Sequence, residues 1–317
     1  MSKENVLITG ANGQLGSVLV KKLQDKHGIN HVIASDIRTK IDFVGIFEIL
    51  DVSDFERLKY LVEEHNITQI YHLAAILSAN GELTPLHTWD INTRTFLNIL
   101  EISVLKKINK VFFPSSIAVF GDNAPKVKTP QDYLLNPSSV YGISKVAGEN
   151  WSKYYCEKYN LDIRSLRYPG IIGYQSSPGG GTTDYAIDIY HKAVQEIDFI
   201  CFLSESRTLP MIYMEDAILA TIKLMDAPKE SVKVRTSYNL SGMSFSPAEL
   251  ANSIQKIYPK FKIIYKPDFR EEIASSWPSS IDDSFARNHW NWKPSFDINQ
   301  MTELMIRKLK ETKPLNT

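Results

Sequence analysis

Short apolar runs alternate with helical segments through the first half of the chain. Residues 6–8 form an apolar run that ends in a glycine-rich turn, and Leu15, Val18, Leu19 and Leu23 behind the turn recur at helical spacing. The same alternation predicts six strands, at residues 6–8, 31–35, 47–50, 69–73, 110–113 and 162–167. Parallel neighbours in a sheet need crossover helices, so the pattern predicts an α/β fold with a doubly wound parallel sheet.

After Gly170 the predicted elements become shorter. A glycine-rich loop at 176–185 leads into a helix, and further elements are predicted at 209–213, 215–226, 237–240, 246–256, 262–265 and 297–310. We expect residues 1–174 to form the sheet domain, to which 209–236 returns. Residues 175–208 and 237–317 are expected to form a small α/β lid over the carboxyl edge of the sheet.

Composition argues against several classes of protein. The 317 residues include 36 basic and 36 acidic side chains, so neither a nucleic acid nor a membrane surface is an expected partner. Two cysteines, Cys156 and Cys201, argue against a disulfide framework or a cysteine-based metal site, and we expect no metal. The absence of a signal-peptide core or a spanning stretch favours the cytoplasm, or the mitochondrial matrix if a presequence was removed.

The turn after the first strand predicts a phosphate site. Gly10, Gly13 and Gly16 let the backbone approach a pyrophosphate, and the helix behind them offers free N–H groups and a positive dipole end. The Gly-x-x-Gly-x-x-Gly spacing departs from the standard Gly-x-Gly-x-x-Gly fingerprint, so a turn without a ligand is the alternative.

An acidic residue at the end of the second strand indicates which dinucleotide binds. Asp36 lies twenty residues beyond Gly16, where a carboxylate accepts both ribose hydroxyls of NAD and repels a 2′-phosphate. Arg38 is a feature that NADP sites share, but the carboxylate favours NAD. Asp51, after the third strand, is either an acceptor for the adenine amino group or a plain loop residue.

A tyrosine and a lysine lie four residues apart in a helix predicted at 138–159. This spacing brings the Lys145 ammonium close to the Tyr141 phenol. A free tyrosine has a pKa near 10, so service as a base at neutral pH requires a decrease of ~3 units, about 4 kcal/mol. One positive charge lowers a pKa by about 1–3 units, so the lysine and a cationic cofactor ring together suffice. The alternative is an exposed lysine beside a half-buried tyrosine.

The combination of motifs resembles the extended short-chain dehydrogenase/reductase superfamily, in the branch of UDP-sugar epimerases and dehydratases. The residues that carry the resemblance are Gly10, Gly13, Gly16, Asp36, Ser116, Tyr141 and Lys145. It implies a Rossmann domain that binds NAD, with Tyr141 as the general base. Lys145 is then expected to bind the nicotinamide ribose and lower the tyrosine pKa, and Ser116 to orient the substrate oxygen. Taken alone, Ser116 is as readily a capping serine.

The resemblance also implies a set of cofactor contacts. Tyr168 and Pro169 are expected near the nicotinamide carboxamide, and Ala74 and Ala75 let backbone lie against the cofactor. The full expected set is Gly10, Asn12, Gly13, Gln14, Leu15, Gly16, Asp36, Asp51, Val52, Leu73, Ala74, Ala75, Asn92, Tyr141, Lys145, Tyr168, Pro169 and Ile171.

Segments 178–185, 209–214, 243–245 and 276–284 are similar to the short-chain type of L-threonine 3-dehydrogenase. That family oxidises the threonine hydroxyl with NAD to 2-amino-3-oxobutanoate and uses no zinc. The resemblance puts Ser78, Thr183 and Asp184, besides Ser116 and Tyr141, in contact with the amino acid, with Asp184 facing its ammonium. A helix cap without substrate contact is the alternative for Thr183 and Asp184, and Ser78 also has a reading without substrate contact.

Two other functions stay open from the sequence. A UDP-sugar 4-epimerase or 4,6-dehydratase uses the same serine, tyrosine and lysine, and Arg207, Arg235, Lys266 and Arg270 are available for its nucleotide. A non-enzymatic NAD-sensing protein is the second possibility, against which the intact catalytic set argues. Superfamily members usually pair the tyrosine helix and the preceding long helix in a four-helix bundle. A homodimer is therefore expected, with candidate contacts at Trp89, Phe96, Trp151 and Tyr155.

Overall fold

A computed structural model describes residues 4–40, 43–175, 177, 179 and 181–312. Ser176, Pro178 and Gly180 of the predicted glycine-rich loop lie outside these residues. The strands are β1 (Val6–Thr9), β2 (Val32–Asp36), β3 (Ile46–Ile49), β4 (Gln69–His72), β5 (Lys110–Ser116), β6 (Ile163–Tyr168), β7 (Gly170–Ile172), β8 (Phe199–Cys201), β9 (Leu209–Tyr213), β10 (Tyr238–Asn239), β11 (Met243–Phe245) and β12 (Ile263–Tyr265).

Helices follow most of these strands. They are α1 (Gln14–His27), α2 (Phe55–Glu64), α3 (Ser78–Leu83), α4 (Pro85–Leu105), α5 (Val140–Tyr159), α6 (Tyr185–Val194), α7 (Met214–Asp226), α8 (Pro247–Gln255), α9 (Phe269–Ser276), α10 (Ser284–Trp290) and α11 (Ile298–Thr312). The sequence pattern does not predict α3, α9 or α10, because a helix of six to eight residues is too short to show a clear 3.6-residue period.

Seven parallel strands form the central sheet, in the order β10-β6-β5-β4-β1-β2-β3. The strand order reverses between β1 and β4, which is the point where Rossmann sheets bind ligands. Helices α1 and α7 pack against one face, whereas α2, α4 and α5 pack against the other. The predicted doubly wound Rossmann fold is confirmed.

Burial on both faces explains why the strands are almost continuously apolar. All four residues of β1 are buried, because α1 side chains such as Leu19 and Leu23 cover one face. On the other face Leu58 of α2 and Ile99 of α4 belong to the same apolar cluster as Leu7. Purely parallel sheets need this double covering.

The seventh strand comes from a segment that the sequence pattern groups with the lid. In β10, Tyr238 pairs with Leu166 and Asn239 pairs with Arg167, so the two residues complete the central sheet. The hydroxyls of Ser165 and Ser237 are 2.8 Å apart and join the same two segments. A strand of two residues shows no periodicity, so this pairing is a tertiary effect.

The C-terminal part has its own small sheets and core. Strands β7, β9 and β11 form a three-stranded sheet, and β8 pairs with β12. Helices α6, α8 and α11 pack around an apolar cluster that includes Tyr190, Leu250 and Met305. The proposed division into a sheet domain and a lid stays a prediction.

Two of the four candidate dimer contacts lie inside the chain. Phe96 and Tyr155 are 2% and 5% exposed, and the Tyr155 hydroxyl donates to Glu101. Trp89 and Trp151 are 39% and 37% exposed, so these two are accessible on the α4–α5 surface. Within the described residues, every helix is too short or too polar to cross a bilayer.

Candidate active site

A cavity opens at the carboxyl edge of the central sheet, beside the point where the strand order reverses. It brings together the predicted glycine turn, the serine, tyrosine and lysine, and the predicted substrate residues. Its lining consists of Gly10, Gly13, Gln14, Leu15, Gly16, Leu73, Ala75, Leu77, Ser78, Pro114, Ser115, Ser116, Ile117, Tyr141, Lys145, Tyr168, Pro169, Gly170, Ile171, Gly181, Thr182, Thr183, Asp184 and Trp277.

The first turn of α5 places Tyr141 beside the end of β5. The Ser139 hydroxyl caps the helix by accepting a hydrogen bond from the Gly142 N–H at 3.1 Å. A Cβ at Gly142 would lie 2.2 Å from the Ala118 carbonyl oxygen, so only glycine lets α5 approach the turn after Ser116. The Ser116 hydroxyl accepts from the Ala118 N–H at 3.2 Å and also bonds the Tyr141 side chain. The capping reading and the catalytic reading of Ser116 are therefore compatible.

Burial dominates the protonation of the phenol. It raises the pKa of Tyr141 to about 12, and the hydrogen bond with Ser116 offsets only part of that increase. Ionising such a phenol at pH 7 costs about 7 kcal/mol. The side chains around Tyr141 therefore do not by themselves produce the decrease in its pKa that the sequence predicts.

Lys145 lies where the four-residue spacing predicts, with its Nζ 5.3 Å from the centre of the Tyr141 ring. The ammonium donates to the Pro114 carbonyl at 2.7 Å and lies 4.7 Å from the centre of the Phe113 ring. Burial lowers the pKa of Lys145 to about 7, because the charged form is poorly solvated there. Lys145 is 4% exposed, so it is not the exposed lysine of the alternative hypothesis.

The glycine turn has the features of a pyrophosphate cradle. Gly10 has a φ of +69°, and a Cβ at Gly16 would lie 2.3 Å from the Gly10 carbonyl oxygen. Helix α1 has no side-chain cap and no acidic residue in its first turn, which leaves its N–H groups available to an anion. Asn12 Oδ1 and Gln14 Nε2 are buried and have no hydrogen-bond partner among the described residues. These residues fit a dinucleotide.

The residues predicted for the adenosine half lie outside the cavity lining. Asp36 accepts the Asn12 N–H at 3.0 Å, so its carboxylate also fixes the glycine turn. Asp51 accepts the Ser53 N–H at 2.8 Å, and the Val52 carbonyl accepts from Asn98. The ribose and adenine contacts of Asp36, Asp51 and Val52 stay predictions.

The side chains of Asn92 and Tyr168 form hydrogen bonds with other parts of the protein and not across the cavity. The Asn92 amide is paired with the N–H and carbonyl of Ile76, at 2.8 and 3.1 Å, which shapes the loop after β4. The Tyr168 hydroxyl bonds the Thr221 hydroxyl in the core, so Tyr168 meets the cavity from the strand end. Ala74 packs beside Gly10 without belonging to the cavity lining.

The predicted substrate residues line the cavity from two segments: Ser78 begins α3, and Thr183 and Asp184 directly precede α6. The hydroxyls of Ser78 and Thr182 are 3.2 Å apart, which connects α3 to that segment. The Asp184 carboxylate accepts the N–H groups of Gly179 and Gly181 at 2.7 and 2.8 Å. Asp184 thus shapes its own loop, although its side chain does not cap α6.

Eight residues of the cavity lining are outside the predicted site set: Leu77, Pro114, Ser115, Ile117, Gly170, Gly181, Thr182 and Trp277. Trp277 is 6% exposed and lies in the segment after α9. Contacts more than 145 residues apart in the chain fix that segment, with Lys126 Nζ donating to the carbonyls of Ser275 and Ser276. The Trp-Pro dipeptide at 277–278 was the available sequence signal. A local pattern does not show that the loop containing Lys126 contacts this segment.

Comparison with known proteins adds to this geometry. The model of the NAD-dependent epimerase/dehydratase family matches residues 6–241, which include the glycine turn, Ser116, Tyr141 and Lys145. The chain belongs to this family. The confirmed resemblance to extended short-chain dehydrogenases/reductases makes NAD the cofactor, in agreement with the fit of the turn.

The relatives of this family member have two kinds of name. An uncharacterized epimerase/dehydratase of Staphylococcus aureus is 44% identical over 314 residues, covering 97% of both chains. A GalE-like L-threonine dehydrogenase from Cupriavidus necator in its holo form is 47% identical, covers 96% of this chain and 99% of its own, and has a TM-score of 0.95. A monomeric L-threonine 3-dehydrogenase from a metagenome is 46% identical, with coverages of 96% and 99% and a TM-score of 0.94.

Proposed function

We propose that this family member is an NAD-dependent L-threonine 3-dehydrogenase that oxidises the β-hydroxyl of threonine to 2-amino-3-oxobutanoate. The observation that carries the proposal is one cavity in which Ser116, Tyr141 and Lys145 face the loop of Thr183 and Asp184, next to the glycine turn. The similarity to solved L-threonine dehydrogenases at 46–47% identity supports the same substrate.

The chain supplies a base, an orienting hydroxyl and a cation. Tyr141 takes the proton of the substrate hydroxyl, and Ser116 fixes the oxygen during the transfer, so that alignment provides much of the rate. NAD, when bound by the glycine turn, Tyr141 and Lys145, supplies the hydride acceptor and a positively charged ring. When Lys145 is protonated, its positive charge favours the ionised form of the Tyr141 phenol.

The substrate is a zwitterion, so its two charges need separate partners. We assign the ammonium to the carboxylate of Asp184, which is 9% exposed and lines the cavity. We assign the hydroxyls of Ser78 and Thr183 as hydrogen-bond donors to the carboxylate of the substrate. A charged partner in so buried a position discriminates strongly between amino acids and neutral alcohols.

The competing epimerase function needs basic residues around a nucleotide. Arg207 is paired with Glu271, Arg235 with Asp162, and Arg270 with Asp268, at 2.6 to 3.1 Å. Lys266 is exposed, and none of these four described residues lines the cavity. Their placement disfavours the UDP-sugar reading relative to the amino-acid reading.

Following NADH absorbance tests the two functions side by side. The purified protein with NAD should form NADH with L-threonine and leave UDP-galactose unchanged. Glycine, which lacks the hydroxyl, is the control substrate. Epimerisation of the sugar without NADH formation from threonine would refute the proposal, and binding of NAD without either reaction would favour the sensor.

We also propose a homodimer through α4 and α5, in the cytoplasm. The exposed Trp89 and Trp151 on these helices support the dimer, whereas the monomeric metagenomic enzyme is a similar protein without one. Sedimentation velocity at two protein concentrations would decide. A Trp151→Lys variant should shift the protein to the monomer if this face is the interface.

A further inference from the structure

A buried ion pair lies directly behind the cavity. Glu149 of α5 accepts two hydrogen bonds from the Arg167 guanidinium of β6, at 2.9 and 2.8 Å. The two side chains are 1% and 4% exposed. Buried ion pairs are weak evidence for stability, because desolvation offsets their attraction. The elements that this ion pair connects therefore say more about its role than its contribution to stability does.

The pair joins three walls of the cavity. Glu149 lies on α5, the helix that carries Tyr141 in its first turn, and its Oε1 also accepts a hydrogen bond from the Ser115 hydroxyl at 2.6 Å. Ser115 directly precedes Ser116 on β5, and Arg167 directly precedes Tyr168 on β6. One carboxylate therefore connects the tyrosine helix to both strand ends that border the site.

The same arginine reaches the C-terminal wall. Arg167 Nη1 donates to the Gln131 carbonyl at 2.9 Å and to Asn239 Oδ1 at 3.1 Å. Asn239 Nδ2 in turn donates to the carbonyls of Thr129 and Asp282. Thr129 and Asp282 are themselves joined by a backbone hydrogen bond, and Asp282 lies in the segment that follows Trp277, so this branch of the network reaches the wall that contains Trp277.

A second buried pair on β6 provides the contrast. Arg164 is paired with Asp162 at 2.8 Å, with side chains that are 1% and 7% exposed. Its Nη1 donates to the carbonyls of Leu224, Met225 and Ala227 at the end of α7. The two arginines have similar burial and similar chemistry, but the Arg164 network ends at a helix terminus and not at the cavity.

We propose that Glu149 and Arg167 are positioning residues that fix the Ser116 hydroxyl relative to the Tyr141 phenol. The inference rests on the proposed function, because turnover of L-threonine is its assay. In Glu149→Gln one amide N–H₂ must replace an oxygen that accepts from the guanidinium, so two donors face each other and the walls separate. A displacement of about 1 Å at a reacting group costs up to about 100-fold in rate.

Comparing Glu149→Gln with Asp162→Asn, both as full-length protein, tests the proposal. Each change removes one buried carboxylate charge, and Asp162→Asn also weakens the pair with Arg235, so its decrease in Tm should be at least as large as that of Glu149→Gln. Only Glu149→Gln should lower kcat, by about 10- to 100-fold. The dissociation constant for NAD, measured by tryptophan fluorescence, should stay within about twofold, because the glycine turn is untouched.

Equal losses of kcat in the two variants, or an unchanged kcat in Glu149→Gln, would overturn the proposal. If Glu149→Gln fails to fold, Ser115→Ala is the second variant, since it keeps the ion pair and removes only the link to β5. It should lower kcat severalfold with a small change in Tm, and wild-type kcat in Ser115→Ala would also count against positioning. A wild-type protein inactive with threonine would instead refute the proposed function.

Discussion

Two sides of the cavity, the glycine turn that fits NAD and the side proposed to hold the substrate, are built from different parts of the chain. On the cofactor side, backbone and glycines form the wall, and the decisive residues lie close together in the chain, from Gly10 to Gly16. On the substrate side, Ser78, Asp184 and Trp277 come from segments about a hundred residues apart. Tyr141 and Lys145 lie between the two sides, on the first turns of one helix.

This difference determines what each side tolerates. A side chain added to the glycine turn fills the space for the pyrophosphate and weakens NAD binding. On the other side, removal of the contacts that fix the loops displaces the groups proposed to bind the substrate. Substitutions should therefore separate NAD affinity from the KM for threonine. The following predictions are ordered from the largest expected effect to the smallest.

Tyr141→Phe acts where the two sides meet and should have the largest effect. Removal of the phenol hydroxyl eliminates the proposed proton acceptor, and we expect kcat to fall by about 100- to 10,000-fold. NAD affinity, measured by fluorescence titration, should change little because the ring remains. Residual turnover within about tenfold of wild type would mean that another group is the base.

Gly16→Ala should damage the cofactor side alone. The new Cβ would lie 2.3 Å from the Gly10 carbonyl oxygen and 2.9 Å from Ala11 Cα, so the turn must move. We expect the dissociation constant for NAD to rise by at least about tenfold. Gly179→Ala is the matched control, since the one contact of its Cβ among the described residues would be with Leu77 Cδ1 at an ordinary 3.7 Å. An equal loss of NAD binding in both variants would contradict the proposed cradle.

Asp184→Asn should damage the substrate side alone. Loss of a charged hydrogen bond costs about 1.5–3 kcal/mol, which corresponds to a KM for L-threonine raised by about 10- to 100-fold. Asp188→Asn, in the first turn of the same helix, removes a carboxylate at the same dipole end and should leave the KM near wild type. NAD affinity should be unchanged in both. A KM unaffected by Asp184→Asn would leave Asp184 as a loop-shaping residue only.

The last prediction concerns the contribution of Lys145 to stability, which is the smallest effect per pH unit and is separate from its proposed role in NAD binding. Its pKa is about 7 in the folded chain against 10.5 for a free lysine, so between these values the unfolded chain binds more protons. The free energy of unfolding should therefore rise with pH, by at most about 1.4 kcal/mol per pH unit, from pH 7 to about 10. Above that range the raised pKa of Tyr141 acts in the opposite sense.

Urea denaturation of Lys145→Met and Lys153→Met at several pH values checks this slope. Lys153 is on the same helix and is exposed, so its variant should keep the wild-type pH dependence. The Lys145 variant should lose the rise. His72, the nearby group whose pKa is lowered by Lys145 after burial, stays neutral with a pKa of about 3 and does not titrate in this range.

The contrast between the two sides also explains what was predictable. The turn at Gly10, Asp36 at the end of β2 and the pair Tyr141/Lys145 are local patterns, so the sequence places them correctly and predicts the fold class. The position of Trp277 in the cavity wall depends on hydrogen bonds from the loop at 126–129. The hydrogen bonds of the Asn92 amide with Ile76 depend on the path of the loop after β4. Such pairings are set by tertiary packing and have no local signature.

Protonation was the least predictable property. The spacing of Tyr141 and Lys145 predicts that the lysine lowers the tyrosine pKa. Lys145 Nζ does lie 5.3 Å from the centre of the ring, but burial raises the pKa of Tyr141 and the hydrogen bond with Ser116 is what opposes that increase. The depth of the cavity is what raises the pKa of Tyr141 and lowers that of Lys145, and depth depends on the whole fold. A pattern that identifies two groups therefore does not determine their charges.

The two-residue strand β10 has a consequence for the synthesis of the protein. The edge of β6 is covered only when residues 238 and 239 are available, and Arg167 needs Asn239 as a hydrogen-bond partner. A nascent chain that ends at residue 174 therefore exposes an open strand edge next to a buried arginine with an incomplete set of acceptors. The Rossmann sheet can be completed on the ribosome only after residue 239 has emerged.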